Sequence, residues 1–382
     1  MIAAYARVLE RAHARDPELS RLHNATRSTL ACLLTATLGM VWLAGHHAAV
    51  TLAALGALFS MIAPLFLREP RLSSWLLSLA LLYLCTCACF AISALVVAYP
   101  LARDAFLLLI VFTGMLCHAL GPRATGCALL ALVAFYLGLY LHPSHATLVE
   151  MLSVSAFAPA VVALVGRVLL PVRGAAMPWH EIAQAAARFA SGAAQGTPAP
   201  LAQRARARLH AKLEAIARHR HHLAWRLAAL ATLAALLALA AGEQMSSERS
   251  MWAVISTFVV FLGTNSREGT LARVGKRLAG TLAGAAASVL LVTTLGEERW
   301  VLVALMALSV FGWAYFILHA YARGVFFITV LVGLVYGQLG FAIVPLAQLR
   351  IEEVVVGCFI AFALAVVLMP SCAAQRDEAL LN

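Results

Sequence analysis

Charge is scarce in this chain. Asp, Glu, Lys and Arg make up 12% of its 382 residues, while hydrophobic residues make up 63%. A globule in water must cover itself with polar side chains, so this composition excludes a soluble domain and makes lipid the solvent for most of the chain. Strand-like alternation is missing too. The apolar runs are continuous, which excludes a transmembrane barrel and leaves helices as the way to satisfy backbone polar groups in hydrocarbon. Residues 1–28 lack the apolar core of a cleaved signal peptide and carry Glu10, Asp16, Glu18 and five arginines. They read as an amphipathic cytoplasmic segment leading into the first span.

Catalytic signatures are absent as well. The sequence holds no nucleophile elbow, phosphate-binding loop, His-Glu-x-x-His or paired-aspartate site. It gives no grounds for an enzyme, and the chain does not hydrolyse ATP itself. No cysteine spacing fits zinc. Cys85, Cys87 and Cys89 are two residues apart, a step that turns a helical side chain by about 200°, so Cys87 faces away from the other two. The cysteines read as small hydrophobes. The His219–His222 run reads as a solvated basic face. Neither a metal nor a cofactor is expected.

What is present is a series of twelve apolar stretches of roughly membrane-spanning length. Six lie in 29–170, at about 29–45, 48–67, 74–99, 104–120, 124–142 and 147–170. Six lie in 227–370, at about 227–242, 251–264, 278–295, 300–318, 325–343 and 352–370. Between them, residues 171–226 form a basic linker. From Arg173 to Arg226 it holds nine Arg/Lys and two acids, Glu181 and Glu214. Helical spacing on either side of Gly196, Pro198 and Pro200 suggests a short cytoplasmic helical hairpin; a basic helix lying on anionic lipid fits equally well. Residues 371–382 form a tail.

With the N-terminus inside, all but four of the 28 Lys/Arg fall on one face, the exceptions being Arg103, Arg249, Arg299 and Arg350. The expectation is a bacterial-type inner (plasma) membrane protein, multi-pass, with both termini cytoplasmic. The net charge of +11 is then lipid-side anchoring rather than the mark of a nucleic-acid partner, since aromatic interleaving is missing.

Markers recur about 200 residues apart: His118 with His319, Arg123 with Arg323, Glu150 with Glu352, Pro171 with Pro370. Their order suggests two six-helix pseudo-repeats. An even number of spans per half makes the repeats parallel, an arrangement that places a path between halves. Stretch eight is short and runs into a polar turn, and stretch two ends at Pro64 before Arg68-Glu69-Pro70-Arg71, at a matching place. Broken helices at such places line substrate sites; the plain alternative is a short helix with a polar turn.

Two motifs could carry chemistry. Arg273, Arg277, Thr281 and Gly284 are spaced by four, four and three, on one helix face, and Gly280 with Gly284 permits close helix approach. The functional reading is an anion-attracting mouth; the plain one is cytoplasmic anchoring with a glycine packing face. Arg350, Glu352, Glu353 and Gly357 open the last span. Two adjacent carboxylates there are costly unless paired, solvated or protonatable. Lying about 100° apart on a helix, one can face the bundle while the other faces water. They read as a gate or proton-coupling group, Glu352 favoured because Glu150 is its repeat mate, or as a helix-capping ion pair with Arg350.

Taken together, Trp252–Thr257, Arg273, Arg277, Gly280, Thr281, Gly284, Phe326–Thr329, Arg350, Glu352, Glu353, Gly357 and Pro370 occur in an order that resembles the fusaric acid resistance-like family. The first half departs from the pattern: Arg71-Leu-Ser-Ser-Trp75 stands where an Arg-x-x-Gly-Thr motif would recur. The resemblance implies a proton-coupled exporter of aromatic or other weak organic acids. Arg273, Arg277 and Arg323, with Arg123 in the first half, would draw a small organic anion, and Glu352 or Glu353 would handle protons. It also implies a periplasmic adaptor protein and is compatible with a homodimer. A passive anion channel using the same arginines and a non-transporting membrane scaffold are the rival classes.

Overall fold

A computed structural model describes residues 19–47, 49–171, 221–245, 251–264, 266–296 and 298–370. Among them the chain is helical, with no strand. In chain order the first half holds α1 (Ser20–Gly45), a 3-10 turn (Val50–Ala53), α2 (Ala54–Ile62), a second 3-10 turn (Ala63–Leu65), α3 (Leu72–Val96), α4 (Pro100–Cys117), a third 3-10 turn (His118–Leu120), α5 (Pro122–Leu141), α6 (His145–Ser155), α7 (Phe157–Leu164) and a π-turn (Val165–Leu169). The second holds α8 (His221–Met245), α9 (Met251–Phe261), α10 (Arg267–Leu295), α11 (Arg299–Phe316), α12 (Tyr321–Gln338) and α13 (Ile343–Leu368). Expectations for residues 1–18, for the hairpin in most of 171–226 and for the tail lie outside the described residues.

Ten helical segments among the described residues are long and apolar enough to cross a bilayer, α6, α7 and the π-turn forming one of them. This is a multi-pass membrane protein. Stretches two and eight are shorter apolar helices, Val50–Leu65 and Met251–Phe261. At 1.5 Å per residue the 11-residue α9 is about 16 Å long, half the hydrocarbon thickness.

Local chemistry sets the breaks. Pro100 and Pro122 stand in the first turns of α4 and α5, where a missing N–H costs nothing. Ser144 and Ser266 cap α6 and α10, each Oγ accepting a backbone N–H at 3.2 Å, from Thr147 and Gly269 respectively. Gly263 turns the chain out of α9 at φ +83°, a conformation that side-chain-bearing residues rarely adopt.

The helix pairings of one half reappear in the other. α3 lies along α5 as α10 lies along α12; α4 packs on α5 as α11 packs on α12; α1 packs on α2 as α8 packs on α9. The two halves also clasp each other, α1 against α11 and α8 against α4. Two apolar clusters follow that clasp. One joins Leu107 and Val111 of α4 and Phe135 of α5 to Ala231 and Ala234 of α8, Phe258 of α9 and Cys358 of α13. The other joins Phe59, Trp75 and Val162 to Val310 and Trp313 of α11. Large side chains such as Leu84, Leu101, Trp300 and Phe359 stay exposed on the outside, as a lipid-facing surface requires.

Candidate anion site in the second half

Three glycines set the geometry. A Cβ at Gly280 would run into the Ala322 carbonyl and stand 2.8 Å from Val325 Cβ; at Gly284 it would stand 2.7 Å from both Phe326 O and Thr329 Cβ. α10 and α12 thus touch almost backbone to backbone. Gly357 does the same for α13, where a Cβ would strike the Ala253 carbonyl of α9. These approaches bring α9, α10, α12 and α13 around one point.

At that point sit two arginines and a carboxylate. Arg350 is 6% exposed, Arg277 5% and Glu353 1%. The Arg350 guanidinium lies over the Trp252 ring, 4.0 Å from its centroid, and Nη2 donates to Thr329 Oγ1 at 3.5 Å, the outer limit of a hydrogen bond. Its Nε and Nη1 have no hydrogen-bond partner. Arg277 Nη2 donates to Ser256 Oγ at 3.3 Å, and its Nε also lacks a partner. Glu353 Oε2 accepts the backbone N–H of Trp252 at 2.9 Å. It thereby caps α9, whose N-terminus carries partial positive charge and lies against the tenth residue after the start of α13.

Arg277 and Glu353 both act electrostatically on Arg350. Tyr136 of α5, whose hydroxyl has no hydrogen-bond partner, lies in range of Glu353. A cavity of about 20 Å³ adjoins Arg350 and is lined by Trp252, Ser288, Thr329, Tyr336 and Ala347. It has room for about one water as it stands.

The remaining arginine motif runs toward the start of α10. Thr281 is buried on the Arg277 face, and Arg273, half-buried, stacks over Tyr321 at 4.4 Å with His118 in electrostatic range. The other candidate residues do not join the cluster. Arg323 is exposed, over the Phe316 ring at 5.5 Å. Arg123 pairs with Glu69 and donates to Ser74. Glu150 and Glu352 are exposed. The two adjacent carboxylates split as their 100° separation requires, and the one facing inward is Glu353.

Sequence reasoning missed Tyr136, whose residue type carries no signal until the helices are packed; Ser256 and Thr329 fell within the motif stretches Trp252–Thr257 and Phe326–Thr329 with no role assigned to them. It also missed a second buried pair. Arg27 is 1% exposed with Nε and Nη2 unpartnered, and Arg167, 3% exposed, donates to Pro70 O at 2.8 Å and Glu69 O at 3.1 Å. Arg167 stands inside the expected sixth span, which was the available clue.

Residues 221–364 match the family described as fusaric acid resistance protein-like, the family whose motif series this half resembles. The match begins with α8 and ends within α13, so it encloses the whole cluster. No curated protein and no solved structure matches the chain.

Proposed function

We propose that this multi-pass membrane protein, whose second half is of the fusaric acid resistance protein-like family, exports weak organic anions, aromatic carboxylates among them, from the cytoplasm of a bacterial-type inner membrane. The observation that carries the reading is the pair of buried guanidinium groups, Arg277 and Arg350, with N–H donors left unmet. A charge at such depth is expensive, and a transient carboxylate partner would supply the missing acceptors with charge-assisted hydrogen bonds. Trp252 and Tyr336, beside Arg350 and the cavity, offer faces to an aromatic ring.

In this reading the twelve apolar stretches form two parallel six-helix repeats, the recurring helix pairings supporting the duplication. Both termini are cytoplasmic. Arg273 draws the anion from the cytoplasmic start of α10, Arg277 and Arg350 hold it, and Glu353, in place of the outward-facing Glu352, is the carboxylate positioned for proton coupling. A periplasmic adaptor would receive the product. The test is efflux of hydroxylated benzoates and cinnamates from cells producing the protein. Export should exceed that of cells lacking it and should fall in Arg277→Gln at unchanged membrane abundance. Equal efflux with and without the protein across the panel would refute anion export.

A further inference from the structure

Arg27, in the first half, has no part in the cluster around Arg350. It is 1% exposed, and both nitrogens of one guanidinium edge, Nε and Nη2, lack a hydrogen-bond partner. We propose that Arg27 anchors a second anion site, which takes the two-oxygen edge of a carboxylate or phosphate group. This site lies beyond the Arg277–Arg350 cluster and shares no residue with it.

A buried guanidinium is costly unless a negative partner or a full set of acceptors compensates it. Among the described residues Arg27 has neither. The charged side chain acting on it electrostatically is Arg167, another cation. Glu69, the acid on the neighbouring loop, gives its Oε1 to Arg123 and Ser78. The Nε and Nη2 hydrogens of an arginine point the same way, a fork that matches the paired oxygens of a carboxylate or phosphate. Buried donors are met in native folds, by protein, water or an ion. An anion on this edge answers both the charge and the fork.

Three helix ends build the place. Arg27 lies one turn beyond His23 of α1, whose Nε2 meets the Pro171 carbonyl at 2.9 Å. The site is therefore one turn inside the end of the bundle where α1 begins and the sixth span finishes, the cytoplasmic end in the six-plus-six topology. Gly166, in the π-turn, lets the guanidinium in: a Cβ there would stand 2.8 Å from Arg27 Nη2 and 3.1 Å from Trp75 Cζ2. Cζ2 is on the indole edge that carries Nε1, and that buried donor also has no partner. Three unmet N–H groups thus lie about Gly166. Arg167 is a fixture beside them, its Nη1 and Nη2 donating to Pro70 O at 2.8 Å and Glu69 O at 3.1 Å, its guanidinium over the Trp75 ring at 5.0 Å. It holds the loop before α3 and the indole in place, so the ligand falls to Arg27 and Trp75 Nε1. At 1% exposure Arg27 is out of reach of a lipid headgroup on the surface, which leaves a free small anion as the source.

The experiment is calorimetric titration of the purified full chain in lipid nanodiscs, in a chloride buffer at neutral pH, with benzoate and with inorganic phosphate. At least one of the two should show binding that Arg27→Met weakens by about tenfold or more, the loss of a hydrogen bond to a charged group, and that Arg277→Gln leaves in place. Benzoate binding of this kind would make the ligand the carboxylate class the protein is proposed to export. Phosphate binding without benzoate would make it an inorganic oxyanion. Either result upholds the site. Gly166→Ala keeps every charge and sets a methyl group against Nη2, so it should weaken the same binding, and it decides the matter if Arg27→Met fails to fold. Binding that neither variant changes, or no binding of either probe, would overturn the second site. Benzoate binding abolished by Arg277→Gln and untouched at Arg27 would do so while leaving the export reading intact.

Discussion

Replacing Arg277 with Met should make the protein more stable and less active at once. Arg277 is 5% exposed, makes one long hydrogen bond, 3.3 Å to Ser256, and leaves Nε unmet. A buried donor without a partner costs about 1–3 kcal/mol, whereas the Ser256 bond at that length contributes about 1 kcal/mol at most. Arg350, a like charge in range, adds to the cost. Met keeps the apolar stem and much of the volume. Glu353 is not stranded, because the N–H of Trp252 and Arg350 remain. The net expectation is a gain of about 1–3 kcal/mol, within the span measured when buried ionic groups give way to apolar ones. Thermal unfolding in detergent should show a higher midpoint than wild type, and efflux of hydroxybenzoates should be lost. A lower midpoint with efflux preserved would show that Arg277 holds the bundle together, and the reasoning would fail.

Four further outcomes are expected. Gly357→Val should push α9 away from α13 and lower stability by about 1–3 kcal/mol through overpacking, read as a lower melting midpoint. Trp252→Phe should retain most anion efflux and Trp252→Leu should lose it, since an aromatic face under a desolvated guanidinium contributes about 2 kcal/mol; equal activity of the two would dismiss the stacking role. Glu352→Gln should leave the pH profile of efflux as in wild type, because the side chain is exposed. Reporter fusions at Asn382 and near Gly196 should both report cytoplasm, and a periplasmic signal at either would undo the six-plus-six topology.

What the sequence made legible was whatever depends on spacing along one helix. Steps of four, four and three put Arg273, Arg277, Thr281 and Gly284 on a shared face, and that face lies against α12. Stretch eight stood out by its length and stretch two by its end at Pro64. What it hid was helix phase and partners distant in sequence. Which of Glu352 and Glu353 turns inward is decided by Gly357 lodging against Ala253, a contact between helices about a hundred residues apart. Arg123 was grouped with the anion path because it matches Arg323 in position. Glu69, 54 residues away, claims it, and no local pattern shows that. Matching positions in two halves say where a residue stands, not what it faces.

The same point separates the halves. Where α13 sets Arg350 and Glu353 beside α9, the corresponding packing of α6 beside α2 and the 3-10 turn before it buries Leu148, Met151 and Val154 with Leu52 and Leu55. Apolar packing there stabilises the bundle at no electrostatic cost. The second half carries two cations and an anion at a comparable place, with donors left open, an arrangement that lowers stability unless something is gained from it. The clasp of α8 against α4 and of α11 against α1 ties the costly half to the apolar one. The fold can hold the Arg277–Arg350–Glu353 cluster because most of its cohesion comes from contacts in which that cluster has no part.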